Sequence, residues 1–220
     1  MDDAGYRWSL VVPLKPLALA KSRLAAAVGE VRPALALAFA LDTVTAALAC
    51  AEVADVTVVT DDTVAGAELA GLGAFVVADE PAAGLNAALR HGAARVRDRE
   101  PAAAVAALNG DLPALRPAEL SMVLREAVRA GKRAFLADAA GVGTTLLTAP
   151  PRLPLSPAFG GPSRARHLAS GAHEITLPGV PSVRRDVDTA DDLRAALALG
   201  VGRRTALFTP LFAAFSPPGA

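Results

Sequence analysis

The chain carries one cysteine, Cys50, among 220 residues. A single thiol forms no internal disulfide and no cysteine metal cluster. Cys50 lies in an apolar helical pattern and reads as a buried, inert thiol. Aromatic residues make up only 4%, too few to stack bases along an extended groove. Neither sign of charge is in excess, with 22 basic against 22 acidic residues. A nucleic acid or an acidic lipid surface selects a basic surplus, so neither is an expected partner. The longest apolar run, Ala34 to Ala51, is interrupted by Asp42, Thr43 and Thr45 and reads as a buried helix, not a membrane span. The start, Met1-Asp2-Asp3, is acidic, unlike a signal peptide, so a cytoplasmic protein is expected. Neither the glycine pattern of a P-loop nor that of a dinucleotide fold occurs, which disfavours NAD and FAD. No Gly-x-Ser-x-Gly elbow is present to support a serine triad. His91, His167 and His173 show no metal-ligand spacing and read as structural or surface residues. His167, one turn after Ser163, stands nearest to a candidate site.

What is present is an alternation of apolar runs and helical patterns. Trp8 to Leu14, Asp55 to Thr60, Ala74 to Ala78 and Ala102 to Leu108 read as strands. Leu17–Ala27, Pro33 to Ala51, Leu85 to Val96 and Pro117–Ala130 read as helices. In the second of these, Leu37, Leu41, Val44 and Leu48 fall on one face at helical spacing, and Pro33 suits a first turn. Asp79-Glu80-Pro81 ends the third strand. The second half changes rhythm. Arg133 to Ala137 and Thr144 to Ala149 read as strands around a Gly141-Val142-Gly143 turn. A proline-rich loop, Pro150 to Pro157, precedes a short helix opened by Phe159 to Ser163. His173 to Leu177 and Ser182 to Val187 read as short strands, and Thr189 to Gly200 as a closing helix. Strands alternating with helices predict an α/β fold with a mixed, mostly parallel sheet and helices on both faces. One domain is expected, with its core over about residues 8–201 and a loose tail over 203–220 that holds Pro210, Pro217 and Pro218.

Five clusters sit at predicted strand or loop ends. The stretch Leu108-Asn109-Gly110-Asp111-Leu112-Pro113 puts Asp111 at the carboxyl end of a buried strand, the edge where open α/β sheets bind ligands. Lys15, Lys21 and Arg23 follow the first strand, near a helix start, and suit a polyphosphate. Asp61-Asp62 and Gly84-Leu85-Asn86 are candidates for a base or ribose, or else ordinary turns and caps. Gly141-Val142-Gly143-Thr144 and Phe159-Gly160-Gly161-Pro162-Ser163 offer backbone N–H nests for phosphate or carboxylate oxygens. In a strand, Asp186 and Asp188 share a face. Asp188 with Asp111 supplies a ligand set for Mg²⁺, which takes one or two carboxylates plus substrate phosphates.

Taken together and in order, Pro13-Leu14-Lys15, Ala20-Lys21-Ser22-Arg23-Leu24, Asn109 to Leu115, Gly141 to Thr144, Phe159 to His167 and Asp186-Val187-Asp188-Thr189 resemble the guanylyltransferases of deazaflavin coenzyme F(420) biosynthesis. The resemblance spans roughly Leu10 to Val201. It implies a nucleotide-diphospho-sugar-transferase-like three-layer sandwich and the joining of GMP from GTP to phosphoenolpyruvate or 2-phospho-L-lactate. The alanine- and arginine-rich sequence leans toward the actinobacterial members and phosphoenolpyruvate. By the same resemblance, Thr144, Gly160 and Ser163 hold the phospho-acid. Asp111 and Asp188 act as catalytic Mg²⁺ ligands. Lys15, Lys21, Arg23 and Asn86 contact the nucleotide, Lys21 also serving catalysis. The glycine-rich loop that most of the wider superfamily carries after the first strand is replaced here by prolines and Lys15. Two alternatives remain at this stage: a glycosyltransferase of the same fold using Asp186-Val187-Asp188, and a non-catalytic nucleotide-binding module.

Overall fold

The computed structural model describes residues 6–80 and 82–212. Met1-Asp2-Asp3, Pro81 and Pro217-Pro218 lie outside the described residues. The strands β1 (Trp8–Pro13), β2 (Val53–Val59), β3 (Phe75–Val77), β4 (Ala104–Leu108), β5 (Ala134–Ala137), β6 (Thr144–Ala149) and β7 (His173–Glu174) form one sheet in the order β3-β2-β1-β4-β6-β5-β7. β6 runs antiparallel to β4 and β5, and every other pair is parallel. The central strands are near-continuous apolar runs because both of their faces are covered by other layers.

The helices are α1 (Ala25–Val28), α2 (Arg32–Leu48), α3 (Thr63–Gly71), α4 (Leu85–Arg99), α5 (Pro117–Ala130), α6 (Ser163–Ala169), α7 (Pro181–Arg184), α8 (Ala190–Leu199), α9 (Arg203–Ala206) and α10 (Thr209–Phe212). Successive strand side chains point to opposite faces. Leu10, Val12, Val56 and Val58 accordingly share a core with α2, α3 and α5 through Leu41, Val44, Leu69, Leu120 and Leu124. Val11, Val59, Val105 and Ala107 share the other core with α4 through Leu89, Ala93 and Val96. The result is a three-layer sandwich. At Gly92, on α4, a Cβ would stand 2.5 Å from Val11 Cγ1 and 2.7 Å from Val59 Cγ2, so only a hydrogen fits between helix and sheet. The segment Ser22–Leu48 has the length and hydropathy of a membrane span. Its Leu35, Phe39, Leu41 and Val44 are nevertheless spent on the cores of the sandwich.

Four segments depart from the sequence expectation. Leu17–Ala27 is not a helix: it is a set of turns, a 3-10 turn at Ser22–Leu24 and the single turn α1. Lys21 takes a left-handed conformation (φ 55°), and the Arg32 guanidinium takes up the Ala18 and Ala20 carbonyls that a continuing helix would use. Helix α3, over an alanine- and glycine-rich stretch without clear apolar periodicity, was not expected. Asp62 caps it by accepting from Ala65 N at 3.0 Å, which is how a short polar side chain satisfies a first-turn N–H. Ser182 to Val187 is not a strand. Pro181 opens the one-turn helix α7, and Glu119 accepts both the Ser182 N–H (2.8 Å) and its hydroxyl (2.7 Å). The tail is not loose from Arg203 onward. Buried Asp42 of α2 accepts from Arg204 N and Thr205 N at 3.1 and 2.8 Å and so caps α9, while residues 213–220 lie outside the described residues.

Candidate functional site

A cleft of about 540 Å³ opens over the carboxyl ends of β1 and β4. From β1 the sheet grows through β2 to β3 on one side and through β4 on the other, so the cleft lies at the point where strand order reverses. Because β6 is antiparallel, its first residue, Thr144, comes to the same edge. Leu108 pairs with Leu146 there, and Asn109 N donates to Thr145 O at 2.9 Å. Gly110 keeps the turn after β4 close to β1, where an added Cβ would stand 3.1 Å from Val12 Cγ1.

One wall of the cleft is charged. Val187 N donates to the Asp111 carbonyl at 3.1 Å, and fully buried Val187 anchors that crossing. This one backbone bond brings Asp186 and Asp188, more than seventy positions downstream, beside Asp111. Thr189 then opens α8 with a reciprocal capping box to Asp192, which stops the extended segment just past Asp188. Lys21 Nζ donates to Asp111 Oδ2 and, at 2.9 Å, to Asp188 Oδ1. Arg23 donates to Asp188 Oδ2 at 2.8 Å. Burial alone would lower the Lys21 pKa, but the two carboxylates outweigh it and raise it. Burial would raise Asp188, and Lys21, Arg23 and Lys15 pull it below the ordinary carboxylate range. Asp186 has no such cation at contact among the described residues. Burial, then Asp111, Asp188 and Asp138, push it up to about 7, and Asn109 Nδ2 donates to it at 3.4 Å. Asp111 Oδ1 is buried without a hydrogen-bond partner among the described residues, so one lone-pair face of that carboxylate is unspent. Lys15 lines the same cleft.

The opposite wall is neutral and hydrogen-bonded. Thr144 Oγ1 lies 2.9 Å from Nδ1 of fully buried His167, whose Nε2 accepts from Ala158 N at 3.0 Å. The next residue, Phe159, donates its N–H to Asn86 Oδ1 at 2.8 Å and accepts from Asn86 Nδ2 at 3.0 Å. Asn86, expected against the nucleotide, holds the Phe159–Gly161 turn with one hydrogen bond at each end of its amide. Gly160 and Gly161 line the cleft with φ of 91° and 48°, values that favour glycine. Ser163 begins α6 and is buried behind that turn, outside the cleft lining. The nest expected at Gly141-Val142-Gly143 is already filled. Asp138 accepts from Val142 N at 2.9 Å and Gly143 N at 2.8 Å, which leaves those N–H groups to an internal carboxylate and not to a ligand.

The structure therefore gathers Lys15, Lys21, Arg23, Asp111, Asp188, Thr144 and Gly160 into one cleft and sets Asn86 and Ser163 behind its wall. Asp61 and Asp62 stand elsewhere, beside a second hollow of about 450 Å³. Asp61 accepts from Asp79 N, and Asp62 from Ala65 N and Leu17 N. Sequence reasoning missed Asp138 and the part played by His167. The signal for Asp138 was an Asp at a strand end followed by a glycine turn, the Asx pattern. His167 gave only its place one turn after Ser163, since its side-chain partners lie nine and twenty-three positions away.

Residues 37–175 match the MobA-like NTP transferase domain. The chain is 67% identical over 201 residues to a phosphoenolpyruvate guanylyltransferase of Streptomyces coelicolor, covering 91% of this chain and 94% of the relative. It is 60% identical to a protein of the same name from Thermomonospora curvata, covering 98% and 94%. Among solved structures, a protein from Desulfovibrio desulfuricans G20 assigned as a nucleotide-diphospho-sugar transferase superposes with a TM-score of 0.65 at 16% identity, over 95% of this chain and 96% of that one. The three-layer sandwich is that fold.

Proposed function

The chain belongs to the MobA-like NTP transferase family and, within it, to the phosphoenolpyruvate guanylyltransferases, and from that premise we propose that it joins GMP from GTP to phosphoenolpyruvate and releases pyrophosphate. The observation that supports this most directly is Lys21 Nζ bridging Asp111 and Asp188 at the switch-point edge of the sheet. Asp111 and Asp188 share one cleft there with three cations, Lys15, Lys21 and Arg23, and with Asp138 and Asp186. That is the equipment for handling a polyphosphate.

A phosphate monoester has a second pKa of about 6 and carries about −1.5 to −2 charges at neutral pH, so it is a nucleophile without a general base. A phosphate oxygen of phosphoenolpyruvate attacks the α-phosphorus of GTP. A P–O bond forms there, the bond to the β-phosphate breaks, and its electron pair leaves on pyrophosphate. The difficulty is bringing two anions together. Lys15, Lys21 and Arg23 offset the triphosphate charge, and Thr144 with the Gly160 N–H orients the acid in line. Asp111 and Asp188 suit a Mg²⁺: the unspent Asp111 Oδ1 is a ready ligand atom. Among the described residues no third His, Cys, Asp or Glu completes a shell, which leaves the remaining positions to substrate oxygens and water. When bound, such an ion neutralises charge on the attacking and leaving oxygens. A cytoplasmic role in coenzyme F(420) biosynthesis completes the proposal, resting on the ordered motifs.

The test is purified protein with each NTP, Mg²⁺ and each phospho-acid, reading pyrophosphate. GTP with phosphoenolpyruvate is expected to be the productive pair. Preferential conversion of 2-phospho-L-lactate would overturn the choice of acid. Release of a nucleoside diphosphate, or GTP binding without turnover, would overturn nucleotidyl transfer itself.

A further inference from the structure

His167 is fully buried and touches neither Asp111 nor Asp188. Its ring is packed edge-on against Phe159, with centroids 5.1 Å apart, and tilted against Phe135 at 5.5 Å. Its two nitrogens face different kinds of partner. Nε2 stands 3.0 Å from the Ala158 backbone N–H, which can only donate, so Nε2 carries no proton. A neutral imidazole holds its one proton on the other nitrogen, so Nδ1–H donates to Thr144 Oγ1 across 2.9 Å. Burial, followed by the charges of Arg133 and Arg166, holds the ring's pKa down to about 4, and it stays neutral at physiological pH.

The consequence falls on Thr144. A hydroxyl has one proton and two acceptor lone pairs. In a free threonine it turns to donate or accept as its partner requires. Here one lone pair is taken by His167 Nδ1–H, and the hydroxyl makes no other hydrogen bond to a described residue. Its proton is left for whatever occupies the cleft that Thr144 lines. Through Ala158, His167 also holds the loop between β6 and α6 that carries Phe159 and Gly160.

We propose that His167 is a positioning residue that makes Thr144 an obligate hydrogen-bond donor toward the acid substrate, so that this subsite selects an anionic acceptor oxygen and disfavours a group that must itself donate. This rests on the reading that the phospho-acid lies against Thr144 and the Gly160 turn. His167 is not a proton-transfer group. It acts through Thr144 and touches no reacting atom.

Two measurements test it. The first reads the tautomer in the intact, unliganded protein by ¹⁵N NMR of His167. A protonated Nδ1 and a bare Nε2, unchanged between pH 6 and 9, are expected. The opposite tautomer, or titration within that range, overturns the proposal. The second is a double-mutant cycle. His167→Gln keeps an acceptor near the Nε2 position but removes the donor to Thr144, whereas His167→Asn keeps a donor near Nδ1. Thr144→Val and His167→Gln are each expected to raise KM for the phospho-acid about tenfold with KM for GTP unchanged, the loss of one hydrogen bond to a charged group. The double variant is expected to be no worse than Thr144→Val alone, and His167→Asn to recover most of the lost affinity. Multiplying effects in the double variant would overturn the action through Thr144 while leaving the acid site standing. An unchanged acid KM in Thr144→Val would overturn the acid site and the inference with it.

Discussion

The two walls of the cleft are built on opposite principles. The wall of Lys15, Lys21 and Arg23 with Asp111 and Asp188 is held by charge, on a loop of turns in which a non-glycine residue sits at φ 55°. Arg23 is largely exposed, with 69% of its side chain open to solvent. The wall of Thr144, His167, Asn86 and Phe159 is neutral, mostly buried and held by internal hydrogen bonds that leave the Thr144 hydroxyl proton to the cleft. A charged wall can exchange partners, since Arg23 is open to solvent and Lys21, though largely buried, faces a cleft in which phosphate oxygens can replace its carboxylates without leaving it unpaired. A neutral buried wall cannot, because each broken bond strands a buried polar group. The first suits a large, variable polyanion and a cation. The second suits one small acid presented at one angle.

The severest way to break this contrast is at the carboxylates. Asp111→Asn and Asp188→Asn are each expected to lower kcat more than the about 10–100-fold typical of groups that merely support metal ligands, with the fold intact by circular dichroism. Near-parental turnover at saturating Mg²⁺ in either variant would remove that residue from the ligand set. Next is Lys21→Met, expected to weaken GTP by about 1.5–3 kcal/mol, the worth of a charge-assisted hydrogen bond. Rising salt should erode GTP binding in the parent and leave the acid KM far less affected, because mobile ions screen the exposed Arg23 and the half-exposed Asp188 of the charged wall. Equal salt sensitivity of both substrates would erase the distinction between the walls.

Gly160→Ala probes the neutral wall. A side chain at φ 91° strains the backbone by about 1–2 kcal/mol, and the Cβ intrudes on the cleft. KM for the acid is expected to rise about tenfold by steady-state kinetics, with GTP little changed. The smallest effect is on pH stability. His167 has a folded pKa of about 4 against about 6.5 unfolded, so between those values the unfolded chain binds more protons and stability rises with pH. The contribution is present above about 6.5 and lost as pH falls through about 4, at no more than about 1.4 kcal/mol per pH unit. His167→Gln lacks it. The Tm difference between parent and variant should therefore narrow on acidification from pH 7 to 4.5, and a constant difference would show that the ring is not held neutral by the fold.

The charged wall was far more legible in the sequence than the neutral one. Lys15, Lys21, Arg23, Asp111 and Asp188 stand at the ends of apolar runs, where strand-to-helix turns were readable from prolines, glycines and acids. The neutral wall depends on pairings such as Asn86 with Phe159 and Thr144 with His167, between residue types whose commonest use is in caps and cores. From the sequence Asn86 is expected against the nucleotide and His167 as a structural or surface residue, and neither expectation announces these pairings. The expectation that Asp186 and Asp188 lie on one strand face failed for a related reason. Pro181 and buried Glu119 fold Ser182 into a helical turn, and no local pattern announces a cap donated from a helix sixty-three positions earlier.

By itself the sequence determined the sheet's central strands, because a strand covered on both faces must be apolar throughout. It also determined the alternation that makes the sheet mostly parallel, and the positions of the cations and carboxylates along the chain. Only the tertiary structure decided which of these meet. The antiparallel insertion of β6 carries Thr144 to the edge where β4 ends. The bond from Val187 N to the Asp111 carbonyl sets two distant carboxylates side by side. Asp138, not a ligand, fills the Gly141–Gly143 nest. The physical reason is common to all three. Apolar periodicity is a local property imposed by burial, whereas a hydrogen bond between distant segments is satisfied by whichever donor the packed chain delivers, and a buried polar group accepts that partner because leaving it unpaired costs more.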